Sequence, residues 1–417
     1  MIILHGQLKE DFTPQDRNQL LRMGTFGPTT QMLLDVNNSN LKNEVADEIE
    51  WLDHQLNHPS AYDDTDDDWL SHFQRVEQIA TTLEPTVDFY QDYPNEDLKS
   101  RADGYRIFNR FAPGTSSYNI DAFQMSAWWD NALGNVDLNS KVGSDQLRQR
   151  MAYAMSQLLV VSSTIFPLNG RTEGLAFYYD ILAENAFGNY ETLLQNVLRS
   201  PAMGVFLSSV MNQKASLSKN TRPDENLARE FMQLFTIGPY ELELDGSIKI
   251  DSAGKSIPTY TQDDIVEMAK VLTGWNLFLY PNWGRLGKGY GSYQHLMEFY
   301  PEKHEDELDE FYTDDQDPGI ITLFKGKAWE ASLELNASDE ILDGSGSQTN
   351  SGLDAAIKVM FNHPNVGPFV SRHLIKHFVT SNPTPGYIER IATVFNDDGS
   401  GVRGNLKAVL RAILLDH

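Results

Sequence analysis

No cysteine occurs in the 417 residues, which removes disulfides, thiolate nucleophiles and cysteine-ligated zinc from consideration. Long apolar runs are missing as well. Nothing approaches the roughly eighteen consecutive apolar residues of a membrane-spanning helix. Positive charge is scarce: 33 Lys and Arg stand against 59 Asp and Glu, for a net charge of −26. A field of that sign repels nucleic acid and anionic membrane, so neither is expected as a partner. Acidity spread along the whole chain fits a saline or cation-rich setting, where ions screen self-repulsion. The opening Met1–Glu10 lacks the apolar region of a secretory signal, leaving a cytoplasmic protein or an exported precursor already trimmed. No phosphate loop, Gly-x-Gly-x-x-Gly fingerprint or Gly-x-Ser-x-Gly elbow is present, so nucleotide and serine-hydrolase readings have no support.

What is present reads as helix. The 41% hydrophobic fraction is enough for a substantial core, and the stretch Thr221–Trp275 organises the chain. Thr221-Arg222-Pro223-Asp224 has the cap hydroxyl, early proline and early acid of a helix start. Leu227, Phe231, Leu234 and Phe235 follow at i, i+4, i+7 and i+8, and Gly238-Pro239 stops the run. The first helix is therefore expected over 221–238. A second, over 261–274, opens on the capping sequence Thr261-Gln262-Asp263-Asp264 and closes on Gly274-Trp275. Between them, Glu241–Ile250 alternates apolar and polar around Asp245-Gly246, a strong hairpin signal.

Away from this centre, helical periodicity recurs over 145–161, 174–186, 190–198, 203–211, 353–361, 366–379, 387–395 and 405–415. The run Asp63–Asp68 reads as a solvated acidic loop, since it lacks the glycine and terminal glutamate of a calcium loop. Residues 276–352 are the least periodic part and too long for a plain loop, so an insertion or lid is expected there. The fold class that follows is mainly α: one helical domain over 1–417, with a small β-hairpin insertion at about 239–260.

Several blocks in order resemble the bacterial family catalogued as domain of unknown function 1800. They include Phe26-Gly27-Pro28-Thr29, Asp145–Met151, Asn185–Tyr190, Ser200–Gly204, Pro223–Glu230, Leu234–Gly238, Tyr260–Asp264, Leu272–Trp275, His363–Val366, Val379–Pro383 and Gly401–Gly404. Two departures stand out. Phe235 occupies a place where many members carry histidine, and Gln316-Asp317-Pro318-Gly319 lacks the histidine of the family's later loop unless His304 substitutes. The resemblance implies an extracytoplasmic setting, periplasmic or secreted. It also implies a further helical segment beyond Asp416-His417, so the chain is expected to be a trimmed product.

Two functional readings follow. In the first, the chain is a helical domain that binds a partner protein or a polysaccharide through 276–350, with Asn226, Gln262, Trp275, Trp283 and Asp317 as binding residues. In the second, it is a carboxylate- or metal-assisted hydrolase acting on an extracellular substrate. Glu230 would then be the general base, with Arg229, Asp264 and a residue of 304–317 beside it. The sequence identifies no cofactor; a divalent cation is the one that this reading would call on. Each candidate also has a plainer role. Arg229 and Glu230 could form an ion pair between helices, Asp264 could be spent on capping, and Trp128-Trp129 and Trp275 could anchor the core. His373 and His377 lie at i, i+4, a metal-compatible spacing, but no acid follows and Arg372 and Lys376 flank them.

Overall fold

The computed structural model of the chain describes residues 14–26, 48–57, 70–83, 85–91, 107–108, 123–133, 145–216, 218–278, 280, 291–304, 320–335, 340–342 and 348–416. The acidic run at 63–68, Trp283 and Asp317 lie outside them. The described helices are α1 (Pro14–Gly24), α2 (Glu48–Asn57), α3 (His72–Leu83), α4 (Phe123–Leu133), α5 (Gln146–Leu158), α6 (Thr172–Glu184) and α7 (Tyr190–Leu198). They continue with α8 (Pro201–Phe206), α9 (Asn226–Glu230), α10 (Gln262–Val271), α11 (Ser351–Asn362), α12 (Val366–Phe378), α13 (Pro385–Asn396) and α14 (Leu406–Leu415). The fold is mainly α, and among the described residues β structure is confined to small antiparallel pairs and ribbons.

The helices start where side chains can replace the missing intrahelical acceptors. Asn189 accepts from Glu191 N at 2.9 Å, Ser200 from Met203 N at 3.2 Å, Thr384 from Tyr387 N at 3.3 Å and Asn405 from Ala408 N at 3.2 Å. Their apolar stripes then face one another. Leu406, Val409, Leu410 and Ile413 of α14 are buried, as are Ile388, Ile391 and Phe395 of α13 and Val370, Leu374 and Ile375 of α12. These three helices pack together, while α6 sits among α3, α4 and α5. One buried apolar cluster threads most of the elements. A smaller one joins Val76, Ala80, Phe89, Phe123, Ala127 and Ala176.

Two expected helices are shorter than their periodicity suggests. The run 203–211 is helical only as Pro201–Phe206, because Ser208 and Met211 both adopt φ of 63°. Met211 N–H then turns to the Trp275 carbonyl at 2.9 Å. The expected helix 221–238 starts five residues late. Thr221 pairs with Ser216 through reciprocal backbone bonds of 3.1 and 3.0 Å. Asp224 is held outside the helix by Asn212, whose Oδ1 accepts its N–H at 2.8 Å. The helix then widens into a π segment over Phe231–Thr236.

A π segment displaces carbonyls from their usual donors, and side chains here take over. Thr236 Oγ1 donates to the Phe231 carbonyl at 2.6 Å, and buried Tyr190 donates its hydroxyl to the Phe235 carbonyl at 2.6 Å. Gly238 ends the segment at φ +71°, a conformation that favours glycine.

The ribbon that follows is more than one hairpin. Glu241 N donates to Ile257 O, Ile257 N to Lys249 O, and Lys249 N to Glu241 O, at 2.8, 3.1 and 2.8 Å. Three passes of chain therefore pair in a closed cycle. Four short antiparallel pairings are described: β1 (Tyr90–Gln91) with β2 (Ile107–Phe108) before the ribbon, and, over 275–350, β3 (Trp275–Asn276) with β4 (Glu298–Phe299), β5 (Ile320–Leu323) with β6 (Ala331–Glu334), and β7 (Glu340–Leu342) with β8 (Gln348–Asn350).

Two measurements test this packing. Tyr190→Phe leaves the Phe235 carbonyl buried without its donor, and should cost about 1–2 kcal/mol in urea unfolding. Acid should also destabilise the chain. Burial holds His72, His295 and His373 down at about 4 and His363 at about 3. Below pH 6.5 the unfolded chain binds more protons than the native one, so stability complete above that pH is lost as pH falls toward 4. The loss should reach on the order of 1 kcal/mol per histidine by pH 5.5. Glu77, which burial raises to about 7, opposes this: its own contribution declines as pH rises from about 4.5. An unfolding midpoint higher at pH 5.5 than at pH 7 would contradict the balance.

Candidate functional site

The polar side chains of α9 and its π continuation do not form the single cluster that their spacing suggests. Arg229 donates to Glu225 Oε2 at 3.0 Å and to Gln262 Oε1 at 3.2 Å, and Gln262 Nε2 donates back to Glu225 Oε2 at 2.7 Å. Both members of the ion pair are well exposed, with side chains at 40% and 38% accessibility, so solvent screening leaves it little stabilising effect. The expected Arg229–Glu230 pair is therefore replaced by Arg229–Glu225. Gln233 accepts from the Tyr260 hydroxyl at 3.0 Å, and Asn226 is exposed.

Glu230 is left over. It is half-buried, its Oε2 is buried, and that atom has no hydrogen-bond partner among the described residues. A carboxylate oxygen withdrawn from water without a donor is costly.

Asp264 is in the opposite condition. Its Oδ2 accepts from Thr261 N at 2.7 Å and Thr261 Oγ1 at 2.8 Å, completing a capping box at the start of α10. Its Oδ1 accepts from Phe324 N at 2.5 Å. Phe324 has φ of 58°, so the carboxylate also fixes a left-handed turn at the end of β5. Both of its oxygens hold structure in place.

The remaining candidates sit in the interior. Trp275 is 2% exposed, with its ring 5.2 Å from that of Phe299. His304 is buried, with Nδ1 3.0 Å from both the hydroxyl and the carbonyl oxygen of Thr273. His373 donates through Nε2 to the Ala154 carbonyl at 3.0 Å, which occupies one nitrogen of the His373–His377 pair. Among the described residues no group of three His, Asp or Glu is placed to hold a metal ion.

A second polar cluster forms where the ribbon, the β5–β6 turn and the α11–α12 corner meet, and spacing along the chain gives little sign of it. Asn365 donates through Nδ2 to the Ile237 and Tyr240 carbonyls, each at 2.8 Å, and accepts from Leu242 N at 3.0 Å. This clamp orients the ribbon. Glu241 is 8% exposed and faces inward, where its Oε1 accepts from Lys327 Nζ at 2.7 Å. Lys327 lies 5.9 Å from the Trp329 ring, and the His363 ring lies 4.5 Å from the same indole. Two traces in the sequence point this way, His363-Pro364-Asn365 and Lys325-Gly326-Lys327, but they are some 36 residues apart and only the fold joins them.

The opposed states of the two acids give opposite expectations. Glu230→Gln should leave stability unchanged or raise it by about 1 kcal/mol, since an unbonded buried charge is removed. Asp264→Ala should cost about 2–3 kcal/mol, through loss of the cap and of the Phe324 N–H partner. Urea midpoints moving the same way for both variants would refute the assignment.

No curated protein and no solved structure matches the chain. A family model does, over residues 19–417, and it spans both polar clusters, the ribbon and the C-terminal helices. The chain therefore belongs to the family described as Protein of unknown function (DUF1800).

Proposed function

We propose that this protein is a binding domain whose docking surface is the outward face of the ribbon, and that its partner is a polypeptide presenting apolar and basic side chains. The observation that carries this reading is an inversion of the usual pattern. The ribbon turns Glu241 and Lys249 toward the body of the protein, and Tyr240, Leu244, Ile248 and Ile250 are exposed at 42%, 37%, 46% and 63%. Tyr240, Leu242 and Leu244 alternate along one pass, and Ile248 and Ile250 along the next, with Leu242 bridged to Ile248. They consequently share a face. Exposed apolar side chains gathered on one face mark interaction surfaces more than scattered ones do.

Charge selects the occupant. Glu243 and Asp251, at the ribbon's two turns, are exposed, and the chain as a whole carries −26. A second copy brings the same charge and is repelled, whereas a basic partner is attracted. The ribbon is also anchored: Gly246, at its tip, sits against Ile388 of α13. The face is thus presented rigidly, which lowers the entropic cost of association. The extracytoplasmic setting implied by the family resemblance belongs to this reading. The hydrolase alternative keeps an unspent carboxylate in Glu230, but Asp264, its proposed companion, is committed to the cap and the β5 turn.

A synthetic peptide alternating valine and lysine, and its valine–glutamate counterpart, test the proposal. The lysine peptide should shift amide resonances over 240–250, and Ile248→Lys should abolish the shift without changing the melting temperature. Equal response to both peptides, or none in the ribbon, would overturn it. So would self-association in sedimentation that Ile248→Lys removes.

A further inference from the structure

The inward face of the same ribbon carries an independent feature. His363 is 1% exposed, and its Nδ1 accepts from Asn365 N at 3.1 Å. An imidazole that accepts at Nδ1 is neutral and carries its proton on Nε2. Among the described residues that buried Nε2–H has no hydrogen-bond acceptor, and the same holds for the Nε1–H of the adjoining Trp329. Two neighbouring ring N–H donors, on rings that meet edge to face, are thus withdrawn from water without an oxygen or nitrogen acceptor, although buried donors are ordinarily paired.

The charges around them point the same way. Arg403 donates to the carbonyls of Phe361 and His363, at 3.0 and 3.1 Å, and to Asn396 Oδ1; all three acceptors are neutral. Lys249 stands beside Glu241 on the inner face of the ribbon, and its ammonium has no hydrogen-bond partner among the described residues. Lys327 is paired with Glu241. Three cations therefore act on His363, against two carboxylates nearby: Glu241, paired with Lys327, and Glu330, which accepts from Gly326 N in the β5–β6 turn. Burial first, then Arg403, Lys249 and Lys327, keep His363 unprotonated, so its role is that of a neutral donor. Trp329 is half-buried and the Lys327 side chain is 30% exposed, so the junction reaches the surface on that side.

We propose that this junction binds an oxyanion, a carboxylate, sulfate or phosphate group of a ligand, received by His363 Nε2–H and Trp329 Nε1–H with Lys249 and Lys327 as counter-charge. Oxygen acceptors satisfy both orphaned donors, and negative charge offsets the local excess of cations. The chemistry is shared by acidic sugars and by sulfate or phosphate esters. The site uses the side of the ribbon opposite the docking face, so it stands or falls separately from the partner-binding reading.

The test follows the Trp329 indole resonance in protein labelled with ¹⁵N at tryptophan, assigned with Trp329→Phe. Sodium glucuronate, sodium sulfate and sodium phosphate are titrated at constant ionic strength against sodium chloride. We expect a saturable shift with at least one oxyanion, absent with chloride. Its midpoint should weaken at least about tenfold in Lys249→Ala, in line with the loss of a charge-assisted contact. This variant breaks no hydrogen bond, so it tests the site without testing the fold. His363→Phe, similar in size but without a donor, should abolish the shift. Glucuronate alone would assign a carboxylated ligand; sulfate or phosphate would assign an ester. Failure of all three to move the resonance beyond chloride, or a shift unchanged in Lys249→Ala, would overturn the proposal.

Discussion

One side-chain amide, that of Asn365, fixes how the middle of this protein is put together. It donates to the carbonyl that closes the π segment and to one that opens the ribbon, and it accepts the N–H of Leu242. Its own backbone N–H turns to His363. The three side-chain bonds exhaust most of what an amide can offer. They join the corner between α11 and α12 to a segment more than 120 residues earlier. A residue of another shape could not bridge those groups, and the exit from the π segment would then leave buried carbonyls unpaired.

The ribbon's orientation follows from that clamp. With its first pass pinned at Tyr240 and Leu242, the alternation of a β-strand sends Glu241 inward and its apolar neighbours outward. The closed cycle of Glu241, Lys249 and Ile257 carries the same choice into the other two passes. A polar interior face and an apolar exterior face are thus two consequences of one constraint. The first gathers Lys249 and Lys327 around His363 and Trp329. The second leaves Ile248 and Ile250 in water.

Most charged and polar groups at the centre have a structural task. Asp264 caps α10 and holds the Phe324 turn, Arg229 is tied to Glu225 and Gln262, and Tyr190 supplies a donor to the π segment. Among the described residues Glu230 Oε2, His363 Nε2 and Trp329 Nε1 belong to a larger set of buried side-chain atoms without a hydrogen-bond partner, which also holds Trp275 Nε1 and Ser371 Oγ; what sets the His363–Trp329 pair apart is the cations around it.

Local sequence determined the helices, the caps and the breaks between them. Thr261 and Asp264 form their box, Ser200-Pro201 and Thr384-Pro385 begin helices, and the stripes of α12, α13 and α14 lie in the core that their spacing predicts. These features depend on neighbours within about one helical turn, so periodicity and cap chemistry suffice to read them. Tertiary structure decided the rest. It delayed α9 by binding Asp224 to Asn212, and it widened the helix after Glu230. It gave Arg229 to Glu225 rather than to Glu230, and it brought Lys327, Trp329, His363 and Arg403 to one junction from separate parts of the chain. Which polar atom finds a partner, and which is buried without one, depends on groups far apart in sequence, and local spacing carries no record of those distances.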